Sequence, residues 1–240
     1  MRFLSTHDEG HLESIVYFLS EALRAAIEAG DTLRQSGCDM PQLDHGMDCG
    51  ELADRLASFR HYIQGLWSRE VMMVAKILRA RELAKELRAH EPELRPEIDT
   101  FRLATVSSAD IQDMLLPDAQ NLFNGAVQPK RFLETRGYST IGDGESGNQL
   151  LGYRIAGHVD VRLLLDACEA LHFGLAARYG FDALPVRALI AHVDEEAMLL
   201  EDVVDAPLLL SELDEMLADT RTVFPLDWRS TFPIQPGLPH

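Results

Sequence analysis

Positive charge is what this chain most lacks: 22 Lys and Arg stand against 39 Asp and Glu, a formal net charge of −17. A phosphate-backbone ligand needs a positive face to neutralise it, so nucleic acid is disfavoured as a partner. Cysteine is sparse as well. Cys38, Cys49 and Cys168 are odd in number and show no CxxC spacing. That argues against a disulfide framework and against a thiolate zinc site, and it fits a reducing cytoplasm. No run approaches the roughly 18 apolar residues that a bilayer helix needs, and no apolar segment follows a basic N-terminus, so neither a membrane span nor an export signal is expected. Repeats and low-complexity tracts are missing. The Gly-rich GDGESG at 142–147 has no following Lys-Ser/Thr pair and is not a phosphate loop. No serine occupies a strand-turn-helix elbow, so a nucleophile of that kind is not expected.

What is present suffices for a core: 46% of the 240 residues are hydrophobic and 25% charged, as in ordinary globular proteins. Apolar residues recur at helical spacing over 6–30 (Leu12, Ile15, Val16, Leu19, Leu23, Ala26, Ile27), with Thr6-His7-Asp8-Glu9 in capping-box form and Gly30 as a C-cap. Ser36 to Gly50 reads as a loop. The stretch 50–90 follows as a helix, with a break expected near Gly65–Ser68, and Pro92 and Pro96 end it. Ser107 or Ser108 caps a short helix over Ile111, Met114 and Leu115 that Pro117 stops. Further helices are expected over 158–179, 184–205 and 208–220.

The predicted fold class is therefore all-α, a multi-helix bundle with an extended Pro-rich C-terminal arm carrying four prolines. The predicted organisation is an N-terminal helical region (1–136), a C-terminal helical bundle region packing on it (147–224), with a single domain as the alternative, and an extended tail (225–240). The glycines between Arg136 and Asn148 mark a joint or a functional loop. From Val193 to Thr220 there are ten acids and no Lys or Arg, a solvated acidic face or the contact for a basic protein partner.

Chemistry concentrates between Gly147 and Asp205. On one helix beginning at His158, Glu169 falls about 20° and His172 about 40° from His158. That arc borders an apolar centre of Val161, Leu164, Cys168, Leu171 and Leu175, where a bundle places a half-buried polar site. Glu169 and His172 have the Glu-x-x-His spacing of carboxylate-bridged di-iron bundles, because residues three apart share a face. The candidate metal ligands are His158, Glu169, His172, His192 and Glu196, the last two sharing a face of the following helix. His7 and His11, one turn apart, form a second chelating pair. Cys168 is expected to be a packed small hydrophobe.

Two resemblances add to this. His7-Asp8-Glu9 opening a helix, Ser146-Gly147-x-Gln149 followed by Tyr153-Arg154, and His172 followed by Arg178 and Gly180-Phe181 resemble, in chain order, the haem aromatic oxygenases of the tryptophan dioxygenase type. The resemblance implies a haem bound by His172 and a substrate carboxylate near Arg154. Arg187-x4-His192 is similar to the signature of HEPN-type ribonucleases, which implies an acid–base role for His192 and a phosphate contact for Arg187. The candidate catalytic residues are thus His172, His192 and Arg187. The leading expectation is a helical binding or regulatory protein, homo-oligomeric. The alternatives are an iron- or haem-dependent oxygenase with its site between the 158–179 and 184–205 helices, and a HEPN-like ribonuclease.

Overall fold

The apolar stripe of the first segment folds as drawn, and further. In the computed structural model, which describes residues 6–38, 40, 48–125, 128–139, 149–179 and 232, α1 runs from Thr6 to Cys38 and buries Leu12, Ile15, Val16, Leu19, Leu23 and Ala26. Gly30 is not its C-cap. The helix carries on because Gly30 and Gly37 are contact points: a Cβ on Gly37 would stand 1.9 Å from Tyr138 Cζ, and one on Gly30 would stand 3.0 Å from the Phe232 ring. A small residue required by packing leaves the same mark in a sequence as one that ends a helix.

Helix α2 (Cys49–His90) starts where Asp48 accepts hydrogen bonds from the N–H groups of Gly50 and Glu51. Those bonds hold the Asp48 carboxyl below its ordinary pKa. The expected break at Gly65–Ser68 does not occur. Forty-two unbroken residues span about 63 Å at 1.5 Å per residue. Gly65 lies against Thr32 of α1, where a Cβ would be 3.5 Å from Thr32 Cγ2, so the two helices approach closely at this point. Packing along the rest of α2 offsets the roughly 1 kcal/mol that glycine costs a helix interior. The partners His11–Glu86, Glu28–Arg69 and Thr32–Gly65 fall in α2 as they rise in α1, so the pair is antiparallel.

Glu91, extended before Pro92, closes α2. A 3₁₀ turn (Pro92–Leu94) leads into α3 (Arg95–Ala104), with Pro96 in its first turn. Helix α4 (Val106–Phe123) contains Pro117, contrary to the expected stop. The carbonyl freed four residues earlier belongs to exposed Asp113, where water can accept the lost bond. After α5 (Pro129–Thr135) come two small antiparallel pairs, β1 (Tyr138–Ser139) with β2 (Gln149–Leu150) and β3 (Arg154–Ile155) with β4 (Val159–Asp160). Helix α6 (Val161–Tyr179) follows.

The described chain is thus an all-α fold with minor strand content, and α6 packs on α3 and α1. Its buried stripe of Val161, Leu164, Cys168, Leu171 and Leu175 joins the common core. No described helix is long and apolar enough to cross a membrane. The helices expected over 184–205 and 208–220, the acidic 193–220 surface and most of the Pro-rich arm lie outside the described residues.

Candidate functional site

The residue that organises the middle of the molecule is an arginine within the supposed joint. Arg136 caps helix α5, and Gly137 follows at φ +87°. Here glycine is obligatory, because a Cβ would stand 1.5 Å from the Gly152 carbonyl oxygen. That close approach zips 136–139 against 149–154: Leu151 N–H donates to Gly137 O (2.9 Å) and Arg154 N–H to Arg136 O (3.3 Å). The ribbon lays the Arg136 side chain inward beneath Tyr153 and above α2.

There it meets Glu70. Arg136 and Glu70 are both 0% exposed, and the guanidinium forks onto the carboxylate, with Nε to Oε1 at 3.0 Å and Nη2 to Oε2 at 3.1 Å. Tyr153 O–H donates to the same Oε1 at 2.8 Å, Nη2 also donates to Asp118 of α4, and the guanidinium lies 3.7 Å from the Phe132 ring centroid. Three helices, α2, α4 and α5, are thereby tied to one cation. Burial opposes the Arg136 charge, but the fields and hydrogen bonds of Glu70 and then Asp118 outweigh it and raise the pKa above the ordinary arginine value. Burial, reinforced by Glu70, pushes the Tyr153 phenol well above its usual range, so Tyr153 is a neutral donor at physiological pH. Nη1 has no hydrogen-bond partner among the described residues.

Asp118 opens this buried network to a cavity. Its side chain keeps 24% of its exposure and borders a space of about 340 Å³ walled by Asp118, by Arg131, Phe132 and Thr135 of α5, and by the Ala156–His158 turn. That turn is held in shape by left-handed backbone at Ala156 (φ 49°) and Gly157 (φ 80°). Phe132 lines the cavity and carries the Arg136 guanidinium on its ring. The lining brings the Asp118 carboxylate together with the exposed side chains of Arg131 and His158.

The residues singled out from the sequence are placed differently from one another. His158 is exposed on the β3–β4 turn, three residues before α6. Helix α6 begins only at Val161 because Asp160 Oδ1 accepts from the N–H groups of Arg162 (2.8 Å) and Leu163 (3.4 Å). The single helical arc of His158, Glu169 and His172 is therefore corrected to two residues. Glu169 (8% exposed) and His172 (9%) do lie on the core margin of α6. Burial drops the His172 pKa to about 4 despite the opposing charge of Glu169, so the imidazole is neutral at pH 7. Arg154 stands in β3; neither it nor His172 borders the cavity. Among the described residues no three His, Cys, Asp or Glu side chains group as a metal site. Arg187, His192 and Glu196 lie outside the described residues, as does the side chain of His7. Cys168 is the packed hydrophobe expected, its thiol pushed up to about 12 by burial.

Glu70, Asp118, Arg136 and Tyr153 were not legible as a group, although one signal was present. Glu70 falls in register with buried Ile63, Leu66, Met73, Val74 and Ile77, and an acid in a core stripe requires a buried cation. Comparison with protein-family models, with curated protein sequences and with solved structures finds no match to this chain.

Proposed function

We propose that the protein is a ligand-binding helical protein whose site is the cavity between α4, α5 and the β3–β4 turn. One observation carries this: an open pocket of about 340 Å³, within the ~300–1,000 Å³ range of small-molecule sites, meets the buried ion network at Asp118. A carboxylate that is already paired offers its remaining lone pairs to a donor on the ligand, and Arg131 and His158 offer N–H groups to an acceptor. The ligand class is a small molecule of mixed polarity with both donor and acceptor groups.

The test is a thermal-shift screen of a polar fragment library against wild type and His158→Trp, which fills the opening from an exposed turn and leaves the core untouched. Fragments that raise Tm in wild type and not in His158→Trp are the expected result. The absence of stabilising fragments, or equal shifts in both proteins, overturns the proposal. Homo-oligomerisation belongs to the same proposal, supported by large exposed apolar side chains at Leu103, Leu163 and Phe173. Light scattering at micromolar concentration checks it, and a clean monomer rejects it.

A further inference from the structure

Among the described residues Phe232 alone lies beyond Tyr179, and it is fully buried. Its ring stacks on Tyr153, with centroids 6.2 Å apart and an interplanar angle of 22°. Its edge reaches over α1 at Gly30, where a Cβ would stand 3.0 Å from the ring. Its backbone carbonyl accepts from Arg162 Nη1 at 3.1 Å. Each wall of this slot is held by something other than Phe232. Gly30 belongs to the α1–α2 pair, Tyr153 is fixed by its hydrogen bond to Glu70, and Arg162 stands in the first turn of α6 that Asp160 caps.

We propose that the slot formed by Gly30, Tyr153 and Arg162 is a separable docking site for an aromatic side chain and the backbone carbonyl of the residue that carries it. The chain's own C-terminal segment fills it in cis, and the site accepts the same segment in trans. Three features set its selectivity. Tyr153 supplies a stacking face, the missing side chain of Gly30 supplies depth, and Arg162 reads the carbonyl of the residue that brings the ring. One aromatic anchor with one charge-assisted hydrogen bond holds a free peptide with a Kd on the order of 100 µM. Tethering raises the local concentration of the arm to roughly millimolar, which keeps the site filled in cis. Delivered by a second copy, the same segment would join two chains. The proposal stands independently of the cavity, whose lining shares no residue with the slot.

The experiment titrates a fluorescein-labelled peptide of residues 224–240 by fluorescence polarisation into full-length Phe232→Ala, into wild type, and into the double variant Phe232→Ala/Gly30→Leu. Circular dichroism checks that each is folded. Saturable binding to Phe232→Ala is expected, at least about tenfold weaker for wild type, for the double variant, and for a peptide itself carrying Phe232→Ala. Absence of binding to a folded Phe232→Ala protein, or binding equal in any of these controls, overturns the proposal. Should Phe232→Ala not fold, 4-fluorophenylalanine placed at 232 decides it by ¹⁹F NMR. Gly30→Leu is expected to move the resonance to the position of the free peptide, and an unmoved resonance overturns the proposal.

Discussion

Replacing Arg136 with Met keeps most of the side-chain volume and removes the cation that ties α2, α4 and α5 together. Glu70, 0% exposed, would then retain the Tyr153 hydroxyl as its one described hydrogen-bond partner. Two charge-assisted bonds of 3.0 and 3.1 Å disappear with the guanidinium. Removing one partner of a buried ion pair costs about 3–5 kcal/mol, chiefly because the other charge is left uncompensated. At ~2–4 °C per kcal/mol for a domain of this size, Tm falls by roughly 6–20 °C, if the chain still folds at all. The informative partner is Glu70→Leu/Arg136→Met, in which no unpaired charge stays in the core. Its loss should be smaller than the sum of the Arg136→Met and Glu70→Leu losses by at least about 2 kcal/mol. Urea titration followed by circular dichroism gives all three values. A loss under about 1 kcal/mol for Arg136→Met, or additivity within about 0.5 kcal/mol, would refute the claim that these groups form one buried unit.

Tyr153→Phe removes one neutral donor from Glu70 and should cost about 1–2 kcal/mol in the same assay; a neutral effect would mean that water replaces the hydroxyl. Gly137→Ala should prevent folding or cost more than about 3 kcal/mol, since its Cβ would overlap the Gly152 carbonyl at 1.5 Å and its φ of +87° is unfavourable for alanine; a protein of wild-type Tm would contradict the close approach. His172 has a folded pKa of about 4 against 6.5 when free, so the unfolded state binds its proton first as pH falls. Stability should therefore drop between pH 6.5 and about 4, approaching ~3 kcal/mol at about 1.4 kcal/mol per pH unit, and His172→Leu should flatten this window. The lowered carboxyls of Asp48 and Asp99 act only below their free values of 3.8 and do not confuse it; an unchanged slope in His172→Leu would reject the burial of the imidazole. Thiol titration of the native protein should find Cys38 and Cys49 reactive and Cys168 silent until denaturant is added, and three equally fast thiols would contradict the buried position of Cys168.

What could be read from the sequence was whatever is periodic. The α1 stripe, the existence of a long helix from about 50 to 90 and the apolar face of α6 all follow from the 3.6-residue repeat, because each helix has one face in the core. Glycine and proline misled, each for a physical reason. Gly30, Gly37 and Gly65 serve close packing against Phe232, Tyr138 and Thr32 and not helix termination, and Pro117 loses its bond on an exposed face. The site failed differently. Glu70, Asp118, Arg136 and Tyr153 are separated by up to 83 residues, so no local spacing brings them together. Only Glu70 in a core stripe announced that a buried cation had to exist. His158 was placed at the start of a helix that begins three residues later, where Asp160 provides the cap. The acid–base and metal roles weighed for His192, Glu196 and Arg187 depend on residues outside those described, and an absorption spectrum with metal analysis of untagged protein tests the oxygenase alternative directly.

The account rests on the buried Glu70–Arg136–Tyr153 network being coupled through Asp118 to the ligand cavity. The most direct measurement is ¹H–¹⁵N NMR of the Arg136 Nε–H at neutral pH, recorded before and after addition of a fragment selected by the wild-type-versus-His158→Trp screen. A resolved Nε–H signal, protected from solvent exchange and shifted on binding through Asp118, is the predicted result. A signal lost to rapid exchange, or one that does not move when the cavity fills, contradicts it.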